Sequence, residues 1–340
     1  MKPLARFLLA VAALLALMAV TLAVFGLPLR DSLELLAKGA GGDGVAWTRT
    51  AVRATPLLFC ALGTILAWRA GMFNIGGEGQ FIVGGISAAT FARLAEGAPP
   101  MVLTVGMLAC SIAGGGVYAT FAGWLHVRRG VQVVISTILL NFVALQLLGW
   151  VVSGPLQQRT GGLPMSDRLP EAAMLWRLSR QSDLHGGVFL ALFAAFGVAL
   201  WLYGTRAGFR LRLVGEGPRV ARAAGMDAGR IQVMAMAASG AFCGLAGGVE
   251  YSALAGQIGA GFSQQWGFLA IPVALVGALH PLGALVAAVG FGALFAGTEN
   301  LARFTPEGGT LGYAIQGAAV LGFVAWQALR ERRIRRTGVA

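Results

Sequence analysis

The sequence predicts an all-α polytopic membrane protein with about ten transmembrane helices and both termini in the cytoplasm. Three observations support this prediction. Hydrophobic residues make up 57% of the 340 residues and charged residues only 12%, against about 25% charged in an ordinary soluble domain. Windows of about 20 apolar residues recur along nearly the whole chain. The net charge of +12 is spread unevenly over the segments that join these windows.

The apolar windows define the predicted spans. They cover residues 4–27, 50–68, 74–92, 100–124, 133–152, 187–203, 231–251, 266–279, 282–298 and 312–329. His280-Pro281 divides 266–298 into two helices joined by a tight turn. The first window follows two basic residues, as a secretory signal does, but its length favours a retained helix. No polar block is long enough for a separate domain, so residues 1–340 are one transmembrane domain.

The charges predict the orientation of the chain. With the N-terminus inside, sixteen of the 26 Lys and Arg residues face inward, and the other ten face outward with ten of the 14 Asp and Glu residues. The inner side then carries the whole net charge of +12, as the positive-inside rule expects. Residues 204–230 become a cytoplasmic loop and residues 153–186 a periplasmic loop of an inner-membrane protein. The basic composition therefore requires no nucleic-acid partner.

A glycine-rich polar stretch, residues 71–80, separates two apolar segments. An ionisable group inside a membrane costs about 2.5–3.5 kcal/mol on insertion scales and usually faces a bundle interior or a water-filled path. Asn74, Glu78 and Gln80 are therefore candidates to line a pathway and hydrogen-bond a neutral polar solute. In the alternative interpretation, Asn74 and Glu78 satisfy the backbone freed around the glycines and do not touch solute.

Further along the chain, Ser136, Thr137 and Asn141 share a helix face by i, i+4 spacing. They either line the same pathway or hydrogen-bond another helix. Phe268 and Trp266 begin the eighth predicted span at its outer side; Phe268 is a pathway candidate, and Trp266 is expected to be an interfacial anchor.

Small residues predict close contacts between helices. Gly240, Gly244 and Gly248 repeat every four residues, and three consecutive glycines occupy 114–116. This spacing lets helix backbones approach closely in lipid. The three cysteines are solitary and the three histidines scattered, so we predict no disulfide, no metal site and no cofactor. The absence of HExxH and GxSxG argues against a membrane-embedded enzyme.

Within residues 204–230, Pro218 at a first helical position and Gly225 beyond the last predict a short helix. Two turns are not stable alone, so this helix either packs on its own spans or docks on a cytoplasmic motor protein. The candidate docking residues are Gly215, Glu216, Pro218, Ala221, Arg222 and Gly225.

Four motifs in order resemble one family. Residues 73–80 match the signature FNIGxEGQ, residues 136–141 resemble STIxLN, residues 215–226 resemble the coupling segment GxNPxAARYAGI, and residues 266–283 resemble GFDGIAVALLG followed by Pro-Leu-Gly. Together they span about residues 50–320. The chain is similar to permease subunits of ATP-binding-cassette (ABC) importers in the branched-chain amino acid, ribose and nucleoside group, above all to the nucleoside or simple-sugar branch.

The resemblance implies a permease that moves a nucleoside or simple sugar across the bacterial inner membrane and has no catalytic chemistry of its own. It implies four kinds of partner: a second permease subunit in a heterodimer, a cytoplasmic ABC ATPase, a periplasmic or lipoprotein solute-binding protein, and membrane lipid. Gly217, Ala223 and Leu269 replace the usual Asn, aromatic residue and Asp. The coupling loop and the solute are therefore the least constrained parts of this interpretation.

The residues themselves require a separate ATPase if transport is ATP-driven. The only lysines, Lys2 and Lys38, are followed by Pro3 and Gly39, whereas a P-loop needs Lys followed by Ser or Thr. Two alternatives stay open. A secondary, ion-coupled transporter also has broken helices and inverted repeats, although it usually has more intramembrane carboxylates. An ABC permease for branched-chain amino acids is the other.

Overall fold

The computed structural model describes residues 28–160, 162–179 and 182–304, with further single positions at 20, 26, 314, 317, 318 and 322. The predicted spans 4–27 and 312–329 thus lie almost entirely outside the described residues. Each of the other eight predicted spans corresponds to an α-helix. The total of ten spans and the location of the termini stay predictions.

The described residues form eleven α-helices. These are α1 (Leu29–Gly41), α2 (Gly44–Arg69), α3 (Gly77–Leu94), α4 (Pro100–Arg129), α5 (Val133–Val152), α6 (Gly186–Gly204), α7 (Arg206–Glu216), α8 (Pro218–Ala223), α9 (Ala228–Glu250), α10 (Trp266–Val276) and α11 (Pro281–Ala302). A π-helical turn, Tyr251–Ala255, extends α9. Helix α1 is not predicted from the apolar pattern because charged residues interrupt it.

Among the helices of the described residues, six are long and apolar enough to cross a membrane. They are α2, α4, α5, α6, α9 with its π-helical turn, and α11. Helix α3 carries Glu78, Gln80 and several glycines, and α10 has only 11 residues. A helix of that length rises about 16 Å, roughly half of the hydrocarbon thickness. The break between α10 and α11 at residues 277–280 confirms the turn predicted before Pro281.

The two long loops contain more structure than predicted. Residues 153–186 hold a 3₁₀ turn (Glu171–Ala173) and an antiparallel hairpin of β1 (Arg177–Ser179) and β2 (Ser182–His185). The all-α prediction for the membrane fold is confirmed, and the hairpin only adds two short polar strands that pair their backbone groups with each other. In residues 204–230, α8 begins at Pro218, and Gly225 follows it with a φ of 76°, as predicted.

The chain divides into two compact units. One consists of residues 1–53 and 289–340, and the other of residues 54–288. In the first unit, Asn300 Nδ2 donates to the Leu35 carbonyl at 2.8 Å, and Arg53 pairs with Glu299 at 2.6 Å. The second unit contains the glycine-rich polar stretch, residues 71–80, which interrupts the helices and is called the break below. It also contains every candidate site residue.

Helices α3, α4 and α9 form the core of the second unit through backbone contacts at glycines. A Cβ at Gly240 would overlap the Gly115 carbonyl oxygen of α4, and one at Gly244 would overlap the Ser111 carbonyl oxygen. A Cβ at Gly84 of α3 would overlap the backbone of Gly244. These contacts confirm the close helix approach predicted from the glycine spacing.

Candidate functional site

Helix α2 stops before the glycine-rich break because Gly71 takes a left-handed conformation with a φ of 76°. The Met72 amide donates back to the Ala67 carbonyl at 2.9 Å, which closes the last turn. Residues 72–75 then run without helical hydrogen bonds until α3 begins at Gly77. The backbone groups freed along this stretch need partners inside the protein.

Asn74 supplies part of those partners. Its Oδ1 accepts from the Gly76 amide at 2.8 Å and from Gln80 Nε2 at 3.1 Å. Its Nδ2 donates to Gln80 Oε1 at 3.0 Å and to Ser239 Oγ of α9 at 2.9 Å. All three side chains are buried. Asn74, Gln80 and Ser239 therefore form one network that joins the break to α9.

Helix α5 supplies further partners. The Ile75 amide donates to Thr137 Oγ1 at 3.2 Å, and the Gly79 amide donates to Asn141 Oδ1 at 2.8 Å. Asn141 Nδ2 donates to the Ile75 carbonyl at 3.0 Å. Ser136 Oγ instead donates to the Val133 carbonyl of its own helix at 3.0 Å. Thr137 and Asn141 thus contact the break, and Ser136 does not.

Glu78 joins α3 to α10. Its carboxylate accepts from the Ser263 hydroxyl and from the Gly267 amide, the latter at 3.0 Å. A Cβ at Gly267 would overlap the backbone of Gly77 and Glu78. The first turns of α3 and α10 therefore abut, with one buried carboxylate between them.

The segment that leads to α10 also lies inside the protein. Residues 256–265 contain no α-helix, and the Phe262 ring packs against the Phe81 ring of α3 with a centroid distance of 5.4 Å. Phe262 also fills the space that a Cβ at Gly85 would need. Helix α10 thus begins inside the protein, next to the first turn of α3. With 11 residues, it is about half as long as a membrane-spanning helix.

The two aromatic residues at the start of α10 differ from each other. Trp266 is fully buried, so its predicted position as an interfacial anchor is wrong. The reason is that α10 starts inside the protein, whereas the apolar pattern placed its start at the outer surface. Phe268 is 38% exposed.

Sequence reasoning missed Ser239, Ser263 and Gly267. A signal was present for the last two, because residues 256–267 are rich in glycine and polar residues, like residues 71–80. Such a stretch beside an apolar segment indicates a second broken helix. Ser239 carries no such signal, since its hydrogen bond to Asn74 depends on how α9 packs.

The coupling segment, residues 215–226, packs against neighbouring helices of the second unit. Ala221 is fully buried in a cluster with Val214 and Ala228. Val220 is 63% exposed. A Cβ at Gly215 would overlap the Arg69 carbonyl oxygen at the end of α2. Of the two neighbouring apolar residues of α8, Ala221 therefore faces the protein interior and Val220 faces outward.

The other candidate docking residues lie around the short helix α8. Glu216 and Arg222 are exposed, and Arg222 Nε donates to the Pro218 carbonyl at 3.2 Å. Val220 and Arg222 therefore offer exposed side chains, whereas Ala221 holds the helix in place.

The protein combines several helices long enough to span a membrane with two helices that begin inside the protein and meet at a buried polar junction. This combination is typical of polytopic membrane transport proteins. Sequence comparison gives the family. Residues 47–324 match the family described as the permease component of the branched-chain amino acid transport system, and the chain belongs to this family. It is a multi-pass membrane permease.

Three relatives illustrate the similarity. The glucose ABC transporter permease protein TsgB13 of Haloferax volcanii is 30% identical over 84% of this chain and 78% of its own length. The guanosine ABC transporter permease protein NupP of Bacillus subtilis is 32% identical over 84% and 83%. A second guanosine permease protein of Bacillus subtilis, NupQ, is 29% identical over 72% and 78%. The chain is accordingly a permease subunit of the ABC transporter type.

Proposed function

We propose that this permease imports a nucleoside or a simple sugar across the bacterial inner membrane, driven by ATP hydrolysis in a separate subunit. The observation that supports the proposal most directly is the junction at Glu78, where the first turns of α3 and α10 meet inside the protein. Among the relatives, NupP and NupQ are named for guanosine and TsgB13 for glucose. Both solutes are neutral and rich in hydroxyl groups.

In this proposal the buried polar residues lie at the closed point of the pathway. Asn74, Glu78 and Gln80 are bonded to protein groups in the described conformation. They become available to solute only when the start of α3 separates from α10. Phe268 is already partly exposed beside this junction and could contact a sugar ring or a base face.

The proposed assembly contains three protein partners. A cytoplasmic ABC ATPase docks on the coupling segment, where Val220 and Arg222 are exposed. A second permease forms a heterodimer with this chain; the occurrence of two guanosine permease proteins, NupP and NupQ, in one organism supports this. A periplasmic or lipoprotein binding protein delivers solute to the outer side, which includes residues 153–186.

The family description also supports a second candidate solute, a branched-chain amino acid. An amino acid brings a carboxylate and an ammonium group, so its site needs charged or strongly dipolar partners. At the junction the positive ends of α3 and α10 are already offset by Glu78. The nucleoside or sugar therefore fits the described residues better. Membership in a permease family disfavours the ion-coupled alternative.

Uptake of radiolabelled nucleosides, sugars and branched-chain amino acids should be measured with the gene deleted and restored. We expect that restoring the gene restores uptake of one class of neutral solute only. With the purified complex, we expect transport of that solute to be lost when the ATPase subunit is absent. Uptake of leucine alone would contradict the proposed solute. Uptake that persists without ATP and collapses with the proton or sodium gradient would contradict the proposed mechanism.

A matched pair of substitutions tests the docking of the ATPase. Val220→Asp puts a charge on an exposed position and should weaken co-purification of the ATPase while the permease stays folded. Ala221→Asp buries an unpaired charge and should lower the amount of folded permease itself. Equal ATPase binding by folded wild-type and Val220→Asp complexes would exclude this part of α8 from the docking surface.

A further inference from the structure

Helix α7 has two chemically different faces. Gly208, Leu211 and Val214 are buried. Arg206, Phe209 and Arg210 are exposed, and the Phe209 ring is 54% exposed. Their i, i+3, i+4 spacing places all three on one side of the helix. This basic aromatic face, Arg206–Phe209–Arg210, has no role in the proposed ATPase contact, which involves α8.

The position of α7 places this face at the end of a membrane span. Thr205 alone separates α7 from α6, and its Oγ1 accepts from the Gly208 amide at 3.1 Å. A Cβ at Gly208 would overlap the carbonyl oxygens of Trp201 and Leu202. Helix α7 therefore lies directly against the last turn of α6.

The outer surface of α6 is apolar and suited to lipid. Phe193 is 70% exposed and Leu200 73% exposed. Trp201, in the last turn, is also exposed, and tryptophan favours the membrane–water boundary. A helix that folds back against this turn lies at the depth of the lipid headgroups.

The two arginines of the basic aromatic face, Arg206 and Arg210, have no carboxylate partner among the described residues. A helix with arginines beside an exposed aromatic ring is typical of binding in the plane of a membrane surface. Anionic lipids of the cytoplasmic leaflet attract such basic segments.

We propose that the basic aromatic face of α7 binds anionic phospholipid. Phe209 inserts at the boundary between headgroups and acyl chains, and Arg206 and Arg210 contact the phosphates. This inference rests on the cytoplasmic placement of residues 204–230 proposed above. By holding α7 on the lipid, the contact fixes one end of the coupling segment, since α8 follows after Gly217 alone.

A quenching experiment on the full-length chain in its purified complex tests the proposal. Cys110 is replaced by alanine, while Cys60 and Cys243 are buried and stay. A bimane fluorophore is attached at Phe209→Cys, or at Glu216→Cys as the control at the other end of the helix. The complexes are placed in nanodiscs that contain either brominated phosphatidylglycerol or brominated phosphatidylcholine at equal bromine content.

We expect phosphatidylglycerol to quench the label at position 209 more strongly than phosphatidylcholine, with no such preference at position 216. Each arginine near an anionic surface favours binding about fivefold. Arg206→Gln with Arg210→Gln should therefore remove most of the preference. Arg128→Gln with Arg129→Gln removes two exposed charges from the C-terminal end of α4 and should leave the preference unchanged.

Phe209→Cys removes the aromatic ring, so an unlabelled measurement is also needed. In proteoliposomes, phosphatidylglycerol should stimulate the ATPase activity of the wild-type complex more than that of the Phe209→Ser complex. Equal quenching by the two lipids at position 209, together with equal stimulation of wild type and Phe209→Ser, overturns the proposal. A label at 209 that responds to the ATPase subunit and not to lipid assigns the face to protein and overturns it as well.

The outcome is independent of sidedness. Nanodiscs present both leaflets with the same lipid, so a reversed orientation of the chain would leave the preference at position 209 intact. A wrong topology is detected separately by labelling with an impermeant reagent.

Discussion

Two helix starts meet at the Glu78 carboxylate, and this explains why an acid is buried inside the protein. The first N–H groups of a helix lack intrahelical partners and together carry about half a positive charge. Glu78 lies in the first turn of α3 and accepts from the Gly267 amide in the first turn of α10. One negative charge thus offsets two positive helix ends that would otherwise repel each other.

Glu78→Gln tests this electrostatic role. The amide keeps the size and one acceptor oxygen but turns two N–H donors toward a junction that already contains donors, so we expect a loss of about 1–3 kcal/mol in the free energy of unfolding. Thermal unfolding of the purified complex measures it, with the exposed Glu171→Gln as the control. An unchanged melting temperature would contradict the role; altered apparent affinity for solute at matched abundance would add a role in the pathway.

His185 is a second buried group with a defined environment. Its Nδ1 accepts from the Gly187 amide at 3.1 Å and caps α6. Burial and, to a smaller extent, the positive charge of Arg177 lower the pKa of His185, Asp183 opposes them, and the resulting pKa is about 4. A proton on Nδ1 would replace the acceptor by a donor facing the Gly187 N–H, and the cap would be lost.

The depressed pKa predicts a loss of stability in acid. Above pH 6.5 the imidazole is neutral in both states and its contribution is fully present. Between pH 6.5 and about 4 the unfolded chain takes up a proton that the folded chain does not, so unfolding becomes easier by up to about 3 kcal/mol. His185→Asn keeps a capping oxygen but cannot titrate. The decrease of the melting temperature from pH 7 to pH 4.5 should be smaller in that variant than in the wild type. An equal decrease in both proteins would show that His185 does not contribute to the loss of stability in acid.

At the scale of secondary-structure elements, bounds were predictable where a long apolar run meets turn residues at both ends. Helix α5, Val133–Val152, matches the prediction because Gly130 and Ser153 flank a run of 20 predominantly apolar residues. The same rule did not predict that the start of α10 is buried inside the protein. Its apolar run does not reveal that residues 256–265 have already entered the protein, since that depends on the contacts of Phe262 and Ser263.

The abutting helix starts predict a graded response to added methyl groups. A Cβ at Gly267 would overlap backbone atoms of Gly77 and Glu78, which cannot move independently of α3. A Cβ at Gly77 would meet the Gly267 carbonyl oxygen at 3.3 Å, a tight but adjustable contact. Gly267→Ala should therefore sharply reduce folded protein, and Gly77→Ala should reduce it mildly.

Gly197→Ala is the control for this series. Gly197 lies in α6 with open space around it, so alanine should be neutral or slightly stabilising, by up to about 1 kcal/mol. Membrane abundance and melting temperature of the three variants give the comparison. Equal behaviour of Gly267→Ala and Gly197→Ala would show that the two helix starts do not abut.

At the scale of the whole molecule, the sequence predicted the class of the protein but not all contacts of its site. Asn74, Glu78 and Gln80 were identifiable because polar groups inside apolar segments are costly. Their partners were not, because Ser239 and Ser263 are brought in by α9 and by the segment before α10. The buried position of Ala221 was likewise hidden, since it depends on Val214 and Ala228 of the neighbouring helices.

The orientation that we predict from the charge of the loops can be tested directly. The inner loops carry the whole net charge of +12 in the predicted topology, and translocating such loops is disfavoured. Single cysteines should replace Glu171 in the outer loop, Arg219 in the coupling segment and Arg335 near the C-terminus. In intact cells an impermeant maleimide should label position 171 only, and positions 219 and 335 should react after the membrane is opened.

The native cysteines should add little background to this labelling, because Cys60 and Cys243 are buried and Cys110 lies within α4. A cysteine at Trp47, which is 60% exposed, provides an independent outer position, since it precedes the long apolar part of α2. Labelling of position 219 in intact cells would reverse the orientation of α6 and α9. If position 335 were labelled in intact cells together with 171, while 219 stayed protected, the number of spans would be odd. The error would then be confined to the last predicted span, because the eight preceding helices would keep their orientation.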